Sequence, residues 1–317
     1  MNSAKQSYRA LCDREPSIPV FSKAWWLDAA AGPENWNVAV VQRDGEIVAS
    51  LPYVIKKTLG ITLLTQPSLT QTLGPWLRPS ASSYTKQLSR QKELMQALIA
   101  QLPRYSHYVQ QWHYSQTNWL PFYWKGFSQT TRYTFVIDDL SDPEKVCAAF
   151  SHAKRKDIKK AEGHIRVEFD LCAEQFYDNH RYTLAQQGSK ISYSYTLFKK
   201  LYDAAYLHDA GRTIAGYDEE GKLHAALFVV WDANSAYDLI STIDPRYRSS
   251  GASSLLIREM IRFVASRTAR FDFEGSMTEE IAQSFKQFNA QQKPYSVVSR
   301  TPSRVYATAK FLRSMLA

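Results

Sequence analysis

The sequence predicts an α/β (α+β) protein made of two similar halves, each with a mixed central sheet flanked by helices. Segments of alternating apolar residues, typical of strands, are interleaved along the whole chain with segments of helical periodicity. The order helix, hairpin, strand, helix, strand also occurs twice, at a spacing near half the chain. Because such a recurrence indicates two copies of one structural unit, we expect domains at residues 1–150 and 151–317.

The composition agrees with a globular protein of this kind. The chain has 317 residues, 44% of them hydrophobic, which is sufficient for two packed cores. The formal net charge of +9 favours anionic partners such as nucleotides, coenzymes, nucleic acid or an acidic membrane surface.

Several classes of protein are not indicated. The three cysteines are widely spaced and the histidines form no metal-binding grouping, so neither a disulfide framework nor a metal site is predicted. The sequence shows neither a signal peptide nor an apolar run of membrane-spanning length. We therefore expect a cytoplasmic protein without a transmembrane segment, for which peripheral membrane contact stays open.

In the first half the strongest local signal is a hairpin. Asp44-Gly45 lies between two alternating apolar strands in the segment 36–53, WNVAVVQRDGEIVASLPY. The other elements predicted here are a helix at 21–31, a strand at 61–65, a helix at about 84–101, and strands at 108–112 and 132–137.

The second half is predicted to begin with one helix from Pro143 to Gly163, with Asp142 as its N-cap. Its last turns carry a basic cluster that either forms a solvated helix face or binds an anion. The cluster consists of Lys154, Arg155, Lys156, Lys159 and Lys160. The elements predicted next are a strand at 165–169, helices at 173–187 and 195–210, a hairpin of strands 212–217 and 223–231, a strand at 235–244, a helix at 251–267 and a strand at 270–275.

The last predicted strand, RFDFEG, carries two acids, Asp272 and Glu274, between Phe271 and Phe273. Since successive strand side chains point to opposite faces, we expect both phenyl rings on one side and both carboxylates on the other. In open α/β sheets, ligands bind at the carboxyl ends of the strands. The acids are therefore candidate bases for an amine or ligands for a cationic group. Alternatively, they only form ion pairs with Arg270 or with the basic helix.

A helix is expected directly after this strand. Ser276 and Glu279 form the pattern S-x-x-E, which is a capping box.

A second candidate site is the polar loop before the helix at 251–267. Gly251 permits close backbone approach, and the free N–H groups of a helix start attract phosphate or carboxylate. Arg246 and Arg248 would add positive charge, although a plain basic loop is the alternative.

Characteristic segments are spread over nearly the whole chain: WWLDAA with WNVAVV, LTQTLGPW, RYTF, HAKRKDIKKA, STIDPRYRSSGASSLLI, and FDFEGSM with SFKQFNAQQKPY. Together and in this order they resemble the Fem-type branch of the GNAT acyltransferase superfamily. The resemblance implies tandem GNAT-like domains. The better-known enzymes of this branch transfer aminoacyl groups from tRNA to the peptide stem of peptidoglycan precursors, and many relatives are presumed acyltransferases.

The resemblance also implies roles for individual residues. The segment Arg248 to Ser253 approximates the [QR]xxGx[GA] loop that holds the coenzyme A pyrophosphate in GNAT enzymes, with Ser253 departing from the pattern. Phe285-Lys286 matches a Phe-Lys pair whose lysine stabilises charge on the transferred carbonyl or the donor phosphate. The cofactor-binding candidates are Arg246, Arg248, Gly251, Ala252 and Ser253.

We therefore predict a metal-independent N-acyltransferase that moves an acyl or aminoacyl group to an amine, with the active site in the second domain. Acyl-coenzyme A, or alternatively aminoacyl-tRNA, would be the donor substrate, and no cofactor would be permanently bound. The predicted catalytic residues are Glu274 or Asp272 as base, Lys286 for the oxyanion and Tyr237 as a proton donor. The predicted substrate-binding residues are Trp76, Arg132 and Tyr133 in a cleft between the domains, and Ser276.

Two rival functions remain. In the first, the protein is an aminoacyl-tRNA-dependent transferase acting on a cell-wall precursor, with the basic helix contacting phosphates. The long helical arm of some tRNA-using relatives has no counterpart here, which disfavours this alternative. In the second, the fold is a non-catalytic module for an anionic ligand. The expected partners are a small molecule or a cell-envelope precursor, and DNA is not among them.

Overall fold

The structure is a computed structural model that describes residues 3–275 and 277–315. No helix within these residues is both long and apolar enough to cross a membrane. The helices are α1 (Ser3–Arg14), α2 (Ala24–Ala31), α3 (Tyr84–Ala100), α4 (Leu120–Tyr123), α5 (Pro143–Ala148), α6 (His152–Glu162), α7 (Ala173–Gln186), α8 (Tyr195–Leu207), α9 (Ala252–Val264), α10 (Glu279–Lys286) and α11 (Arg304–Met315). The strands are β1 (Trp36–Arg43), β2 (Glu46–Thr58), β3 (Ile61–Thr65), β4 (Trp76–Leu77), β5 (His107–Gln111), β6 (Ser128–Ile137), β7 (Arg166–Phe169), β8 (Gly211–Tyr217), β9 (Leu223–Trp231), β10 (Ala236–Ile243), β11 (Phe271–Asp272) and β12 (Gln291–Arg300).

The chain divides into two compact units. The first contains the residues up to Arg132 and those from Pro294 onwards, and the second runs from Tyr133 to Lys293. The chain therefore enters the second unit inside β6 and returns to the first inside β12. These limits differ from the expected domains, 1–150 and 151–317, because the sequence pattern does not show that β12 pairs with a strand far behind it.

The sheet of the first unit has the strand order β1-β2-β3-β5-β12, with β4 paired to β2. β1 and β2 form the predicted hairpin, and both turn residues, Asp44 and Gly45, have positive φ. β3 is antiparallel to β2 and parallel to β5, and β12 is antiparallel to β5. α1 and α3 pack on β1 and β2, where apolar side chains form the cores of this unit.

The sheet of the second unit has the strand order β6-β11-β10-β9-β8-β7. α9 packs on β8 and β9, and its Met260 is buried in one core with Val229 of β9. On the opposite face, Phe176 of α7 and Phe198 of α8 contact the ring of Phe228. Because both faces are covered, β9 is apolar except for His224, LHAALFVVW.

The same pairing pattern occurs in both units. In each, an antiparallel hairpin is followed by a third antiparallel strand, a helix and a strand parallel to the third. The segments are β1-β2-β3-α3-β5 in the first unit and β8-β9-β10-α9-β11 in the second. The predicted α/β fold with two similar halves is confirmed.

The helix predicted from Pro143 to Gly163 is two helices in the structure, and the prediction of one continuous helix is wrong. Asp142 caps α5 as expected. α6 has its own N-cap, Ser151, whose hydroxyl accepts a hydrogen bond from the N–H of Lys154. The N–H of Ser151 donates to the carbonyl of Gln287 at 2.8 Å. The break between the helices therefore lets the chain bond to the residue that follows α10.

The strand predicted at 270–275 is also shorter than expected. Only Phe271 and Asp272 pair in β11, and Glu274 ends the extended backbone with a left-handed φ of 65°. α10 begins at Glu279 with Thr278 at its N-cap position, so it does not start at the predicted capping box. Ser276 lies outside the residues that the structure describes.

Candidate active site

Asp272 lies at the end of β11 and is 4% exposed. Its Oδ1 accepts hydrogen bonds from the hydroxyl of Thr134 on β6 and from the N–H of Glu274, the latter at 2.8 Å. Burial raises the pKa of Asp272 to about 7, against the opposing effect of both hydrogen bonds. Arg270 instead approaches Asp138, with Nε 3.9 Å from Oδ1. Asp272 is therefore a buried acid held by neutral donors.

Glu274 is closer to the surface than Asp272. The residue is partly exposed, but its Oε1 is enclosed and has no hydrogen-bond partner in the described part of the chain. Burial raises the pKa of Glu274 well above its ordinary value, and the negative charges of Asp272 and Asp238 raise it further. An acid with a raised pKa that solvent can reach has the properties of a proton acceptor in catalysis.

Asp238 of β10 is a third acid at this place, and sequence reasoning missed it. It is 6% exposed, and its Oδ2 accepts a hydrogen bond of 2.7 Å from the hydroxyl of Ser241. Its Oδ1 is enclosed and lacks a partner within residues 3–275 and 277–315. Burial raises the pKa of Asp238 to about 6, although the bond from Ser241 opposes this. The available signal was an aspartate inside the otherwise apolar strand segment AYDLI.

Aromatic rings attach the acidic segment to α10. Phe271 and Phe273 are buried with their centroids 5.0 Å apart, so the expected placement of both rings on one side is confirmed. Phe273 also contacts the rings of Phe285, at 5.0 Å, and Phe288, at 5.2 Å. These contacts fix α10, and Lys286 is exposed in its last turn. The predicted Phe-Lys pair thus has a packed phenylalanine and a solvent-exposed lysine.

Lys154 of α6 lies against the other side of α10. Its Nζ donates to the hydroxyl of Ser284 at 3.1 Å and lies 4.6 Å from the ring centroid of Phe288. Burial lowers the pKa of Lys154, and the nearby charge of Asp157 acts in the opposite direction. This lysine therefore joins α6 to α10.

Other basic residues of α6 also have partners inside the unit. Arg155 donates to two carbonyl groups at the end of α5, and Lys160 donates to the carbonyl of Ser249 at 2.7 Å. Lys156 and Lys159 are exposed. Lys154, Arg155 and Lys160 therefore form bonds within the unit, which neither expectation for the basic cluster included, while Lys156 and Lys159 are at the surface.

Gly251 precedes α9 and has a φ of 82°, a conformation that favours glycine. A Cβ atom at this position would lie 2.2 Å from the carbonyl oxygen of Asp157 in α6. The glycine thus allows α6 to pack against the start of α9. The space beside Gly251 is therefore occupied by the backbone of Asp157.

Several groups of the same loop are also engaged within the unit. The N–H of buried Ala252 donates to the hydroxyl of Ser250 at 3.2 Å. Arg246 forms an ion pair of 2.7 Å with Asp244, which lowers the pKa of that carboxyl group. Arg248 is exposed and Ser253 is partly exposed, so these two side chains are at the surface. The N–H of Ala252 is therefore already bonded within the loop.

Tyr237 lies inside the second unit and is 1% exposed. Its hydroxyl is 3.5 Å from Oδ2 of Asp232, which is also buried. Since proton donation to a leaving group requires contact with the reacting atoms, Tyr237 has no part in the mechanism proposed below.

The predicted substrate-binding residues are placed differently from one another. Trp76 is buried in the first unit, with its Nε1 donating to the hydroxyl of Ser17 at 3.0 Å. It lines a cavity of about 160 Å³ in that unit, together with Gly74 and Pro75. Arg132 and Tyr133 are exposed on β6, where the chain passes from one unit to the other.

Within the described ranges, no group of three or more His, Cys, Asp or Glu side chains is arranged to hold a metal ion.

Residues 149–291 match the family model described as an acetyltransferase (GNAT) domain. This match covers β7 to β11, the carboxylates at the end of β11 and α10.

Solved structures give the fold of the whole chain. FemX is similar with a TM-score of 0.66 at 10% sequence identity, covering 93% of this chain and 96% of that one. The C-terminal domain of a putative lysylphosphatidylglycerol synthetase from Agrobacterium fabrum is similar with a TM-score of 0.53 at 11% identity, covering 99% and 98%. L-PGS from Bacillus licheniformis gives 0.53 at 10% identity, covering 86% and 87%. No curated protein matches the chain.

These findings define the class. The second unit carries a GNAT acetyltransferase domain, and the chain has a GNAT acyltransferase fold. The GNAT fold that the resemblance implied is confirmed by the domain match and by the similarity to the structure of FemX.

Proposed function

We propose that the protein is an N-acyltransferase that moves an acyl or aminoacyl group to an amine, with Glu274 as the base. The observation that carries this proposal is the state of Glu274. It is partly exposed, has an enclosed unpartnered Oε1, and its pKa is raised well above the ordinary value by burial and two neighbouring acids. It lies in the turn directly after β11, in the segment that matches a GNAT domain.

The reaction requires a neutral amine. The ionised carboxylate of Glu274 takes a proton from the acceptor's ammonium group, and a base with a raised pKa holds that proton well. The amine nitrogen then bonds to the carbonyl carbon of the donor, and the electron pair of the C=O bond moves to the oxygen. Collapse of this intermediate restores C=O and breaks the bond to the leaving group, which takes up the second proton as the nitrogen releases it, while Glu274 passes the first proton to solvent.

Asp272 and Lys286 have supporting roles in this proposal. Asp272 accepts the N–H of Glu274 and so fixes the backbone that presents the base. Lys286, exposed beside the packed Phe285, supplies an ammonium group to stabilise the oxyanion. Holding the two substrates together contributes the remaining rate enhancement.

The test is turnover with a panel of acyl-coenzyme A and aminoacyl-tRNA donors and primary amines. Glu274→Gln keeps the shape of the side chain but cannot accept the proton, so we expect kcat to fall by about 10²- to 10⁴-fold. The matched control is Glu280→Gln, which alters an exposed acid of α10 and should leave kcat unchanged. Full activity of Glu274→Gln with every donor, or turnover by no donor, rules the proposal out.

A specific observation favours aminoacyl-tRNA over acyl-coenzyme A as the donor. The N–H of Ala252 is already bonded to the hydroxyl of Ser250, so the loop expected for the coenzyme A pyrophosphate has one donor fewer to offer. The exposed Lys156 and Lys159 remain as contacts for a polyanion.

The donors are distinguished by salt. If tRNA binds through phosphate contacts, its affinity will fall steeply between low and moderate salt, and Lys156→Gln together with Lys159→Gln will reduce that dependence. Binding of coenzyme A that is tight and weakly dependent on salt would instead support the acyl-coenzyme A donor. A cell-wall precursor or another cell-envelope amine is the acceptor class that we propose for the tRNA-dependent reaction.

A further inference from the structure

The positive charge of the protein lies in its first unit. That unit, residues 1–132 and 294–317, has 18 Lys and Arg against 7 Asp and Glu, which gives a formal net charge of +11. The second unit has 21 against 23, a formal net charge of −2. Within the first unit, residues 47–132 contain one acid, Glu93, and residues 294–317 contain none. An anionic partner is therefore attracted to the first unit.

The turn between β2 and β3 in this unit contains a residue that its backbone does not favour. The turn is Leu59-Gly60, and both residues have positive φ, 46° and 76°. Asp44-Gly45 forms the same kind of turn between β1 and β2 with the residue types that such turns prefer. Leucine is unfavourable in this conformation, and Leu59 is 96% exposed. Since folding does not explain this leucine, it indicates a role in binding.

α11 is attached beside this turn. The N–H of Ser106 donates a hydrogen bond of 2.7 Å to the carbonyl of Thr62 on β3. The next residue, His107, has its Nδ1 at 2.8 Å from the hydroxyl of Thr301, just before α11. Its ring stacks on Tyr306 of α11 with centroids 5.3 Å apart. Because Thr62 is only two residues beyond the turn, the start of α11 lies close to the turn.

α11 leaves large apolar side chains uncovered. Val305, Leu312 and Met315 are spaced by seven and three residues, so they share one face of the helix. They are 77%, 55% and 69% exposed, and Phe311 is 62% exposed. With Leu59, these residues place five large apolar side chains in solvent on two neighbouring segments. Grouped exposure of this kind is typical of an interaction surface.

Exposed basic residues lie on the same segments. They are Lys56 and Lys57 before the turn, Arg104 before β5, and Arg304 and Lys310 of α11. Burial and the charge of Lys310 lower the pKa of His107, which places this lysine near the start of β5. None of the segments 54–66, 101–108 and 300–317 contains an acid. Positive charge and uncovered aliphatic side chains therefore occur together at this end of the first unit.

We propose that the turn at Leu59 and α11 bind the surface of a membrane that contains anionic lipids. The lipid headgroups supply negative charge for the five basic side chains, and the layer below them accepts aliphatic groups such as those of Leu59 and Leu312. RNA offers the charge, but it stacks on aromatic side chains and gains nothing from exposed aliphatic ones. The inference goes beyond the proposed function and does not depend on it, because it concerns other residues and requires no turnover.

The test is cosedimentation of the full chain with two kinds of vesicle, pure phosphatidylcholine and an equal mixture of phosphatidylcholine with phosphatidylglycerol. We expect partitioning onto the mixed vesicles to be at least tenfold stronger. Leu59→Asn introduces a residue that this turn prefers, so the fold is kept while binding should weaken several-fold. Leu312→Gln, which also suits a helix, should have a similar effect. Lys56→Gln with Lys57→Gln should weaken binding about tenfold.

The matched controls lie in the second unit. Leu207→Asn alters a leucine that is 83% exposed at the end of α8. Lys190→Gln with Lys200→Gln removes two exposed lysines. Both control proteins should bind the mixed vesicles as the unaltered protein does.

The other possible occupants are outcomes of the same test. If Leu59→Asn and Leu312→Gln bind the mixed vesicles as tightly as the unaltered protein, the proposal is wrong. It is also wrong if no vesicle is bound and Lys56→Gln with Lys57→Gln instead weakens binding of total tRNA. A protein that binds no vesicle but forms a dimer in sedimentation equilibrium, dissociated by Leu312→Gln, would make this end an interface between copies and would equally overturn the proposal.

Turnover separates this inference from the proposed function. Leu59→Asn should process soluble amines at the same rate as the unaltered protein, because Leu59 is outside the matched GNAT segment. Absence of vesicle binding therefore leaves the proposed function standing. Vesicle binding that is lost in Leu59→Asn, in a protein that shows no turnover, leaves the membrane surface standing without the transferase.

Discussion

The backbone N–H of Glu274 donates a hydrogen bond of 2.8 Å to Oδ1 of Asp272, two residues earlier in the chain. This bond closes the turn in which Glu274 takes its left-handed φ of 65°. A non-glycine residue in that conformation costs free energy unless neighbouring contacts determine it. Asp272, which is buried, therefore fixes the backbone position of Glu274, which is partly exposed.

The contribution of Asp272 to the stability of the protein should fall as the pH rises from about 4 to about 7. The pKa of Asp272 is raised from 3.8 to about 7 by burial, so the folded state holds a proton that the unfolded state releases in this window. The loss from Asp272 alone is at most about 1.4 kcal/mol for each pH unit. Burial also raises the pKa of Asp238 and Glu274, which act in the same direction, whereas it lowers the pKa of His180 to about 4, which acts in the opposite direction.

Asp272→Asn resembles the protonated acid and should remove this contribution, so its free energy of unfolding should rise relative to that of the unaltered protein as the pH increases. Urea unfolding at pH 4, 5.5 and 7 measures it. Asp139→Asn is the control, because a hydrogen bond from the N–H of Ser141 lowers the pKa of that exposed acid. If the free energies of unfolding of Asp272→Asn and the unaltered protein change with pH in the same way, the assignment is wrong.

Gly251→Ala should destabilise the second unit by more than 2 kcal/mol. The alanine residue would have to adopt a φ of 82°, and its Cβ would lie 2.2 Å from the carbonyl oxygen of Asp157. Gly221→Ala provides the comparison, since its φ is 77° but nothing lies within 4 Å of its Cβ; it should cost only about 1 kcal/mol. Equal losses in thermal or urea unfolding would show that α6 does not press on Gly251.

Phe273→Ala should destabilise the protein by about 3–5 kcal/mol, the usual cost of removing a buried phenyl ring. The ring is 2% exposed and contacts Phe271, Phe285 and Phe288. Leu59→Ala, at a residue 96% exposed, should change the free energy of unfolding by less than 0.5 kcal/mol. A small effect of Phe273→Ala would mean that α10 is not held by this ring.

Lys286→Met should lower kcat by roughly 10- to 10³-fold through loss of oxyanion stabilisation, with little change in unfolding free energy because the side chain is exposed. Lys200→Met removes another exposed lysine of the same unit and should leave kcat unaltered. Steady-state kinetics with the donor found in the turnover panel decides this. An unchanged kcat in Lys286→Met would assign the oxyanion to other donors.

Local signals were predicted well from the sequence. The hairpin at Asp44-Gly45 follows from turn chemistry contained in two residues. The N-cap of α5 at Asp142 is equally local. The break before α6 was readable too, because Ser151 is a typical N-cap residue, but the helical periodicity on both sides concealed it.

Pairing between distant segments was not predictable in the same way. β11 pairs over only two residues, with β6 and β10, which are distant in sequence, so the length of this strand cannot be read from its own residues. The turn at Glu274 depends on the hydrogen bond to Asp272. Asp238 looks like an ordinary polar residue of a strand. Only the structure shows that one of its oxygens is enclosed without a partner in the described chain.

The return of β12 to the first unit limits how the protein can be dissected. The strand pairs with β5 through Val297 to Arg300, whereas the rest of the first unit ends at Arg132. No single cut in the polypeptide yields both units whole, since truncation after Lys293 would remove the residues of β12 that pair with β5. Separate production of the first unit calls for a fusion that joins its two distant stretches and omits everything between them.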